Sequence, residues 1–247
     1  MKNGILFEAC VGSADAAVAA QQGGADRVEL CANLLEGGTT PSAGTIRVAL
    51  ERLSIPVHVI VRPRGGDFCH SELELEAMRR DIELCKQLGV HGVVFGLLRE
   101  DGAIDVERTA ELVALARPMA VTFHRAFDVC RDPFEALEQL IGLGIERVLT
   151  SGQEPTVLEG AELIAELVQR SGERIVVMPG AGFTERNIRK IVEQVRPREV
   201  HVAAWGEAPS RMQHRNPRVF MGGELRPPEY SIATTDPARM RAFVDAL

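Results

Sequence analysis

Lysine is almost missing from this sequence. Of the 28 basic residues only Lys2, Lys86 and Lys190 are lysine, and none closes an apolar, β-rich run. A Schiff-base mechanism through a buried amine is therefore disfavoured. Aromatic residues are sparse at 4%, with one Trp and one Tyr. There is no basic tail, and 35 acidic against 28 basic residues give a net charge of −7, which argues against nucleic acid as a general partner. No apolar run is long enough to span a bilayer. The opening Met1-Lys2-Asn3-Gly4-Ile5-Leu6-Phe7-Glu8 lacks the apolar core of a signal peptide. The five cysteines are odd in number and show no Cys-x-x-Cys or framework spacing, so a reducing, cytoplasmic setting is expected and a membrane partner is not. No Pro/Ser-rich linker or shift of composition divides residues 1–247, which read as one domain. An early glycine fingerprint for a nucleotide is absent too, so no nucleotide cofactor is expected.

What the chain does have is eight short runs rich in Val and Ile, at about 4–10, 26–31, 57–62, 92–97, 119–124, 146–151, 174–179 and 199–204. They are nearly continuous in hydrophobicity, as strands are when both faces are covered. Helix signals fill the gaps. Ser71-Glu72-Leu73-Glu74 is a capping box, and Asp132-Pro133 and Asp236-Pro237 place a cap before a proline at the first helical position. Eight strands each followed by a helix predict a (β/α)₈ barrel of the TIM type rather than an open doubly wound sheet. A long irregular segment, 205–235, follows the eighth strand. It holds Arg211, His214, Arg215, Arg218, Gly222-Gly223, Pro227-Pro228 and Tyr230, and reads as a functional loop or an interface arm.

A barrel of this kind places its active site at the C-terminal strand ends. The first two strands end alike, in Glu8-Ala9-Cys10 and Glu29-Leu30-Cys31. With a side-chain period of two, each Glu and Cys share a face, and neighbouring strands lie about 4.8 Å apart. Two carboxylates and two thiols are thus expected to converge. Close carboxylates push one pKa upward, which suits Glu8 or Glu29 to proton transfer, and soft thiolates at Cys10 and Cys31 select Cu(I). His124 is a further acid–base candidate, oriented by Asp128 or a glutamate. Arg62, Arg64 and Arg125, with Ser151 and the Gly180-Ala181-Gly182 turn before a helix expected at Thr184, are candidates to bind a small phosphorylated or carboxylated molecule. The same arginines can instead neutralise Glu8, Glu29, Asp67 and Asp128; in particular the two strand-end glutamates are expected to form a network with Arg62 and Arg125. His58 and His201 read as structural residues at the opposite end of the barrel.

Several of these runs together resemble the CutC family of copper homeostasis proteins. They are Phe7-Glu8-Ala9-Cys10-Val11, Arg27-Val28-Glu29-Leu30-Cys31, Glu36-Gly37-Gly38-Thr39-Thr40-Pro41-Ser42, Arg62-Pro63-Arg64-Gly65-Gly66-Asp67-Phe68, Thr122-Phe123-His124-Arg125-Ala126-Phe127-Asp128 and Met178-Pro179-Gly180-Ala181-Gly182. Ala181 departs from the family, where a third glycine is common. The resemblance implies a cytoplasmic TIM barrel, assembled as a homodimer or homotetramer and linked to copper, with the proposed Cu(I) thiols falling on Cys10 and Cys31. Two readings stand side by side: a copper-binding protein, and a barrel enzyme working by acid–base chemistry on a small anionic metabolite.

Overall fold

The eight apolar runs become eight parallel strands in the computed structural model, which describes residues 1–222 and 230–247. They are β1 (Leu6–Val11), β2 (Arg27–Leu30), β3 (Val57–Ile60), β4 (Gly92–Phe95), β5 (Ala120–Phe123), β6 (Arg147–Thr150), β7 (Val176–Pro179) and β8 (Glu199–Val202). From β1 to β7 each strand pairs with the next in sequence, and β1 also pairs with β8. A parallel bridge between Gly180 and His201 brings β7 against β8 and closes the ring. Around it run α1 (Ala14–Gln22), α2 (Ala43–Arg52), α3 (Glu72–Leu88), α4 (Val106–Ala116), α5 (Pro133–Gly142), α6 (Ala161–Ser171), α7 (Ile188–Val195) and α8 (Pro237–Asp245). This is the (β/α)₈ barrel expected from the alternation of runs and caps.

The helix ends follow their local chemistry. Ser71 Oγ accepts from the Glu74 amide while the Glu74 carboxylate accepts from the Ser71 amide, and Gly89 ends α3 in the left-handed region at φ 78°. Asp132 and Asp236 cap α5 and α8 ahead of their prolines. The strands bury both faces. Outward side chains such as Phe7, Val28, Val59, Phe95 and Phe123 form the large core against the helices. Inside the ring Cys10, Cys31, Ile60 and Val94 form a separate small cluster.

The segment after β8 adds a ribbon beyond the barrel. Its two ends pair as an antiparallel ribbon, β9 (Trp205–Pro209) with β10 (Ser231–Thr235), which leaves 210–222 without helix or strand. The Gly223 and Pro227-Pro228 positions singled out from the sequence lie outside the described residues. Among the described residues no helix is long and apolar enough to cross a membrane.

Candidate functional site

Register decides what the two Glu-x-Cys strands do. In the β1–β2 pairing Glu8 lies opposite Arg27 and Cys10 opposite Glu29, and in β1–β8 Glu8 lies opposite His201. The tilt of strands in a barrel staggers neighbours along the axis. The repeated motifs are therefore offset by two residues. Glu8 falls in a layer of its own, and Cys10, Glu29 and Cys31 meet above it, their ligand atoms all within 4.8 Å of one another.

The lower layer is a closed ionic network. Glu8 is fully buried; it accepts from Arg27 Nε and, at 2.8 Å, from His201 Nδ1, and His58 Nδ1 lies 3.8 Å away. Arg27 also donates to Glu199, which Arg147 joins at 3.2 Å. Burial alone raises the Glu8 pKa, but the Arg27 guanidinium, His201 and His58 together hold it well below the usual carboxylate range. This corrects the expected network: Glu8 is neutralised by Arg27, one strand over, and not by Arg62 or Arg125. It also moves His201 from the far end to the centre of the site. β8 stops at Val202, so residue 201 stands near the C-terminal end of its strand. His58 keeps a structural place, its pKa pushed down to about 3, first by burial.

Above this layer sit the two thiols. Cys31 Sγ–H has two acceptors in reach, Cys10 Sγ and Glu29 Oε2 at 3.4 Å. The Cys31 hydrogen bond overcomes burial and, helped by His201, brings the Cys10 thiol down to about 5, while Cys31 rises in exchange. For His201, burial is outweighed by its hydrogen bonds to Cys10 and Glu8, so the imidazolium is favoured. Burial, with Cys10 and Glu8 as negative neighbours, pushes Glu29 up to about 8. The cluster therefore leans toward a thiolate at Cys10 beside an imidazolium at His201, with Cys31 and Glu29 inclined to keep their protons.

These groups open into a cavity of about 390 Å³, lined from the barrel strands by Cys10, Glu29, Ile60, Leu149 and His201, from the connections after them by Leu34, Arg62, Phe68, His124, Arg125, Gly182 and Phe183, from β9 by Trp205 and from α8 by Arg239. Several expected anion ligands are already engaged. Arg62 donates to the carbonyls of Glu36 (2.8 Å), Gly38 (2.9 Å) and Gly66 (2.8 Å) and lies under the Phe68 ring. Arg64 is not in the cavity; it pairs with Glu74 at 2.6 Å and Asp67 at 3.1 Å. Arg125 reaches the cavity while bound to Asp128 (2.7 Å) and Ser151 Oγ (2.9 Å). Asp128 accepts from the Ser151 amide and the Thr150 hydroxyl, so it ties two loops and does not orient His124. His124 Nδ1 instead accepts from the Ala126 amide at 3.2 Å, and burial, then Arg62, takes its pKa down to about 3. Ser151 and Gly180 stand outside the lining. The Gly180–Gly182 turn is not at a helix start, because α7 begins at Ile188; Asn187 Nδ2 closes it on the Gly182 carbonyl instead.

The profile of the CutC family matches residues 5–206. The chain belongs to the CutC family. It is 52% identical over 241 residues to the mouse copper homeostasis protein cutC homolog, covering 98% of this chain and 89% of the mouse protein. The human homolog is 51% identical, with 98% of this chain and 88% of the human protein covered. The crystal structure of CutC from Streptococcus agalactiae superimposes with a TM-score of 0.76 at 35% identity, over 80% of this chain and 97% of that one. Phosphoribosylanthranilate isomerase from Pyrococcus furiosus, 13% identical with a TM-score of 0.57 and 98% of each chain covered, shares the fold alone.

For this CutC-family chain, sequence reasoning missed Arg27, His201, Phe68, Trp205 and Arg239. Arg27 and His201 carried a usable signal: each keeps the inward parity of its strand, two residues before Glu29 and two after Glu199. Phe68, Trp205 and Arg239 come from loop, ribbon and last helix, and only the closed barrel brings them together.

Proposed function

We propose that this chain serves copper homeostasis by binding Cu(I) through Cys10 and Cys31. The supporting observation is the convergence of two sulfurs and the Glu29 carboxyl oxygen within 4.8 Å in a buried cluster. The donor set fits the ion, since soft thiolates select Cu(I) and ligating thiols must be deprotonated. Cys10 is already inclined to the thiolate, and His201 and Glu8 hold the charge balance beneath it. The exposed Cys69 stands apart from this cluster, which favours a site of the two barrel thiols. Free cysteines support residence in a reducing cytoplasm, and the exposed Trp205, Met212 and Ile232 of the arm support assembly as a homodimer or homotetramer.

Anaerobic competition against a chromogenic Cu(I) chelator tests the reading. Wild type is expected to take up about one equivalent and Cys69→Ser to match it. The Cys10→Ser/Cys31→Ser double variant is expected to bind none. Near-stoichiometric Cu(I) on the double variant would overturn these ligands.

A second reading, acid–base chemistry on a small molecule, is favoured by one observation: Glu29, with its pKa up to about 8, faces the same cavity as the Cys10 thiolate.

A further inference from the structure

Arg62 is 5% exposed, yet among the described residues no carboxylate lies within ion-pair distance of it. Three of its five N–H groups serve backbone carbonyls, and Nε–H, buried, has no partner among the described residues. The Glu36 carboxylate acts on it only from beyond contact distance, and a buried guanidinium without a contacting counter-charge is rare, because desolvation is offset only by pairing. Beside it His124, also 5% exposed, shows the same want. Its Nδ1 accepts from the Ala126 amide, which places the ring proton on Nε2, and Nε2–H is buried without a partner. Both side chains line the cavity, and both lie against one ring. Phe68 sits 5.0 Å from the Arg62 guanidinium carbon and 4.8 Å, centroid to centroid, from His124. Phe68 belongs to the loop between β3 and α3 and is only half-buried.

We propose that this cavity binds a small organic carboxylate, whose two oxygens take Arg62 Nε–H and His124 Nε2–H once the Phe68 ring swings aside. One guanidinium without a contacting counter-charge and two unused donors match one carboxylate; a phosphate dianion would leave a charge over, because Arg125 and Arg239 are already paired with Asp128 and Glu185. The remaining wall, Leu34, Ile60, Leu149 and Phe183, asks for an apolar body behind the acid group.

Trp205 is the one tryptophan of the sequence and lines the cavity, so its emission reports occupancy. Metal-free, reduced protein is titrated with benzoate, cyclohexanecarboxylate and butyrate, with benzamide as the uncharged counterpart of benzoate and with inorganic phosphate. At least one carboxylate is expected to bind saturably, about tenfold or more tighter than benzamide and than phosphate, the worth of a charge-assisted hydrogen bond. Phe68→Ala is expected to tighten binding by removing the cover, and His124→Phe to weaken it about tenfold. The titration uses metal-free protein and reads carboxylate occupancy alone, so its outcome does not depend on Cu(I) uptake, and this site and the copper reading fail separately. Equal binding of benzoate and benzamide, preference for phosphate, or no saturable binding of any carboxylate would overturn the proposal, and the first three comparisons require no variant that needs to fold.

Discussion

Replacing Arg27 with methionine is the sharpest test of the layer beneath the thiols. The guanidinium is 4% exposed and stands between Glu8, at 0%, and Glu199. Methionine keeps much of the volume and removes the charge, so two buried carboxylates lose their shared partner. Breaking a buried pair from one side costs about 3–5 kcal/mol. Here the lower end applies, because each carboxylate retains a second cation: His201 at 2.8 Å from Glu8 and Arg147 at 3.2 Å from Glu199. A loss of about 3 kcal/mol lowers the melting temperature of a chain this long by about 6–12 °C.

Urea and thermal unfolding at pH 7, followed by circular dichroism, read the loss. Adding Glu8→Gln to Arg27→Met relieves the stranded charge, and the double variant is expected to regain about 1 kcal/mol or more of what the single change loses. A single-variant loss below about 1 kcal/mol, or a double variant that is simply additive, would refute the claim that Arg27 exists to hold Glu8 ionised.

Two further outcomes follow from named groups. His58 and His124 are both pushed down to about 3, first by burial, against an unfolded value of 6.5, so the native state binds fewer protons between those limits and stability is lost as pH falls through that window. Glu29, raised to about 8, acts in the opposite sense, its contribution fading as pH rises from about 4.5 toward 8; urea midpoints against pH should flatten on the acid side in His124→Asn and on the alkaline side in Glu29→Gln, and unchanged slopes would contradict both assignments. Gly96→Ala sets a methyl 2.6 Å from His124 Nδ1 and is expected to cost about 1–3 kcal/mol, whereas Gly142→Ala, with open space at its Cβ, should stabilise by about 0.4–1 kcal/mol; equal midpoints for the two variants would show that the glycine just after β4 is not what makes room for the imidazole.

The fold was legible because its signals are local. Strand runs, the Ser71 capping box and the Asp-Pro starts of α5 and α8 are each written within a few residues, and the closed ring agrees with all of them. The thiol pair was legible for a similar reason: parity along a strand is a property of sequence. Stagger between strands is not. Parity put Glu8, Cys10, Glu29 and Cys31 on one face, but only the register could separate Glu8 from the other three and hand it to Arg27 and His201. The arginines were misread for a related reason. A run such as Arg62-Pro63-Arg64 announces charge without saying where each guanidinium turns, and the two turn apart, Arg62 into the cavity and Arg64 to Glu74 outside it.

That separation bears on how the mouth works. Charges at and below the thiols are matched: Glu8, Glu199 and the thiolate-inclined Cys10 against Arg27, Arg147 and His201, all hydrogen-bonded and all but the partly buried Arg147 buried. Such a layer has no capacity left for a ligand; its His201, kept charged by Cys10 and Glu8, assists the Cys31 hydrogen bond in lowering Cys10. Above the thiols the matching stops. Among the described residues Arg62 has no carboxylate in contact and His124 Nε2–H lacks an acceptor, with a half-buried phenylalanine over both. Unsatisfied donors in a buried position are costly, about 1–3 kcal/mol each. They are gathered behind Phe68 at the cavity wall, where a molecule entering from solvent can meet them.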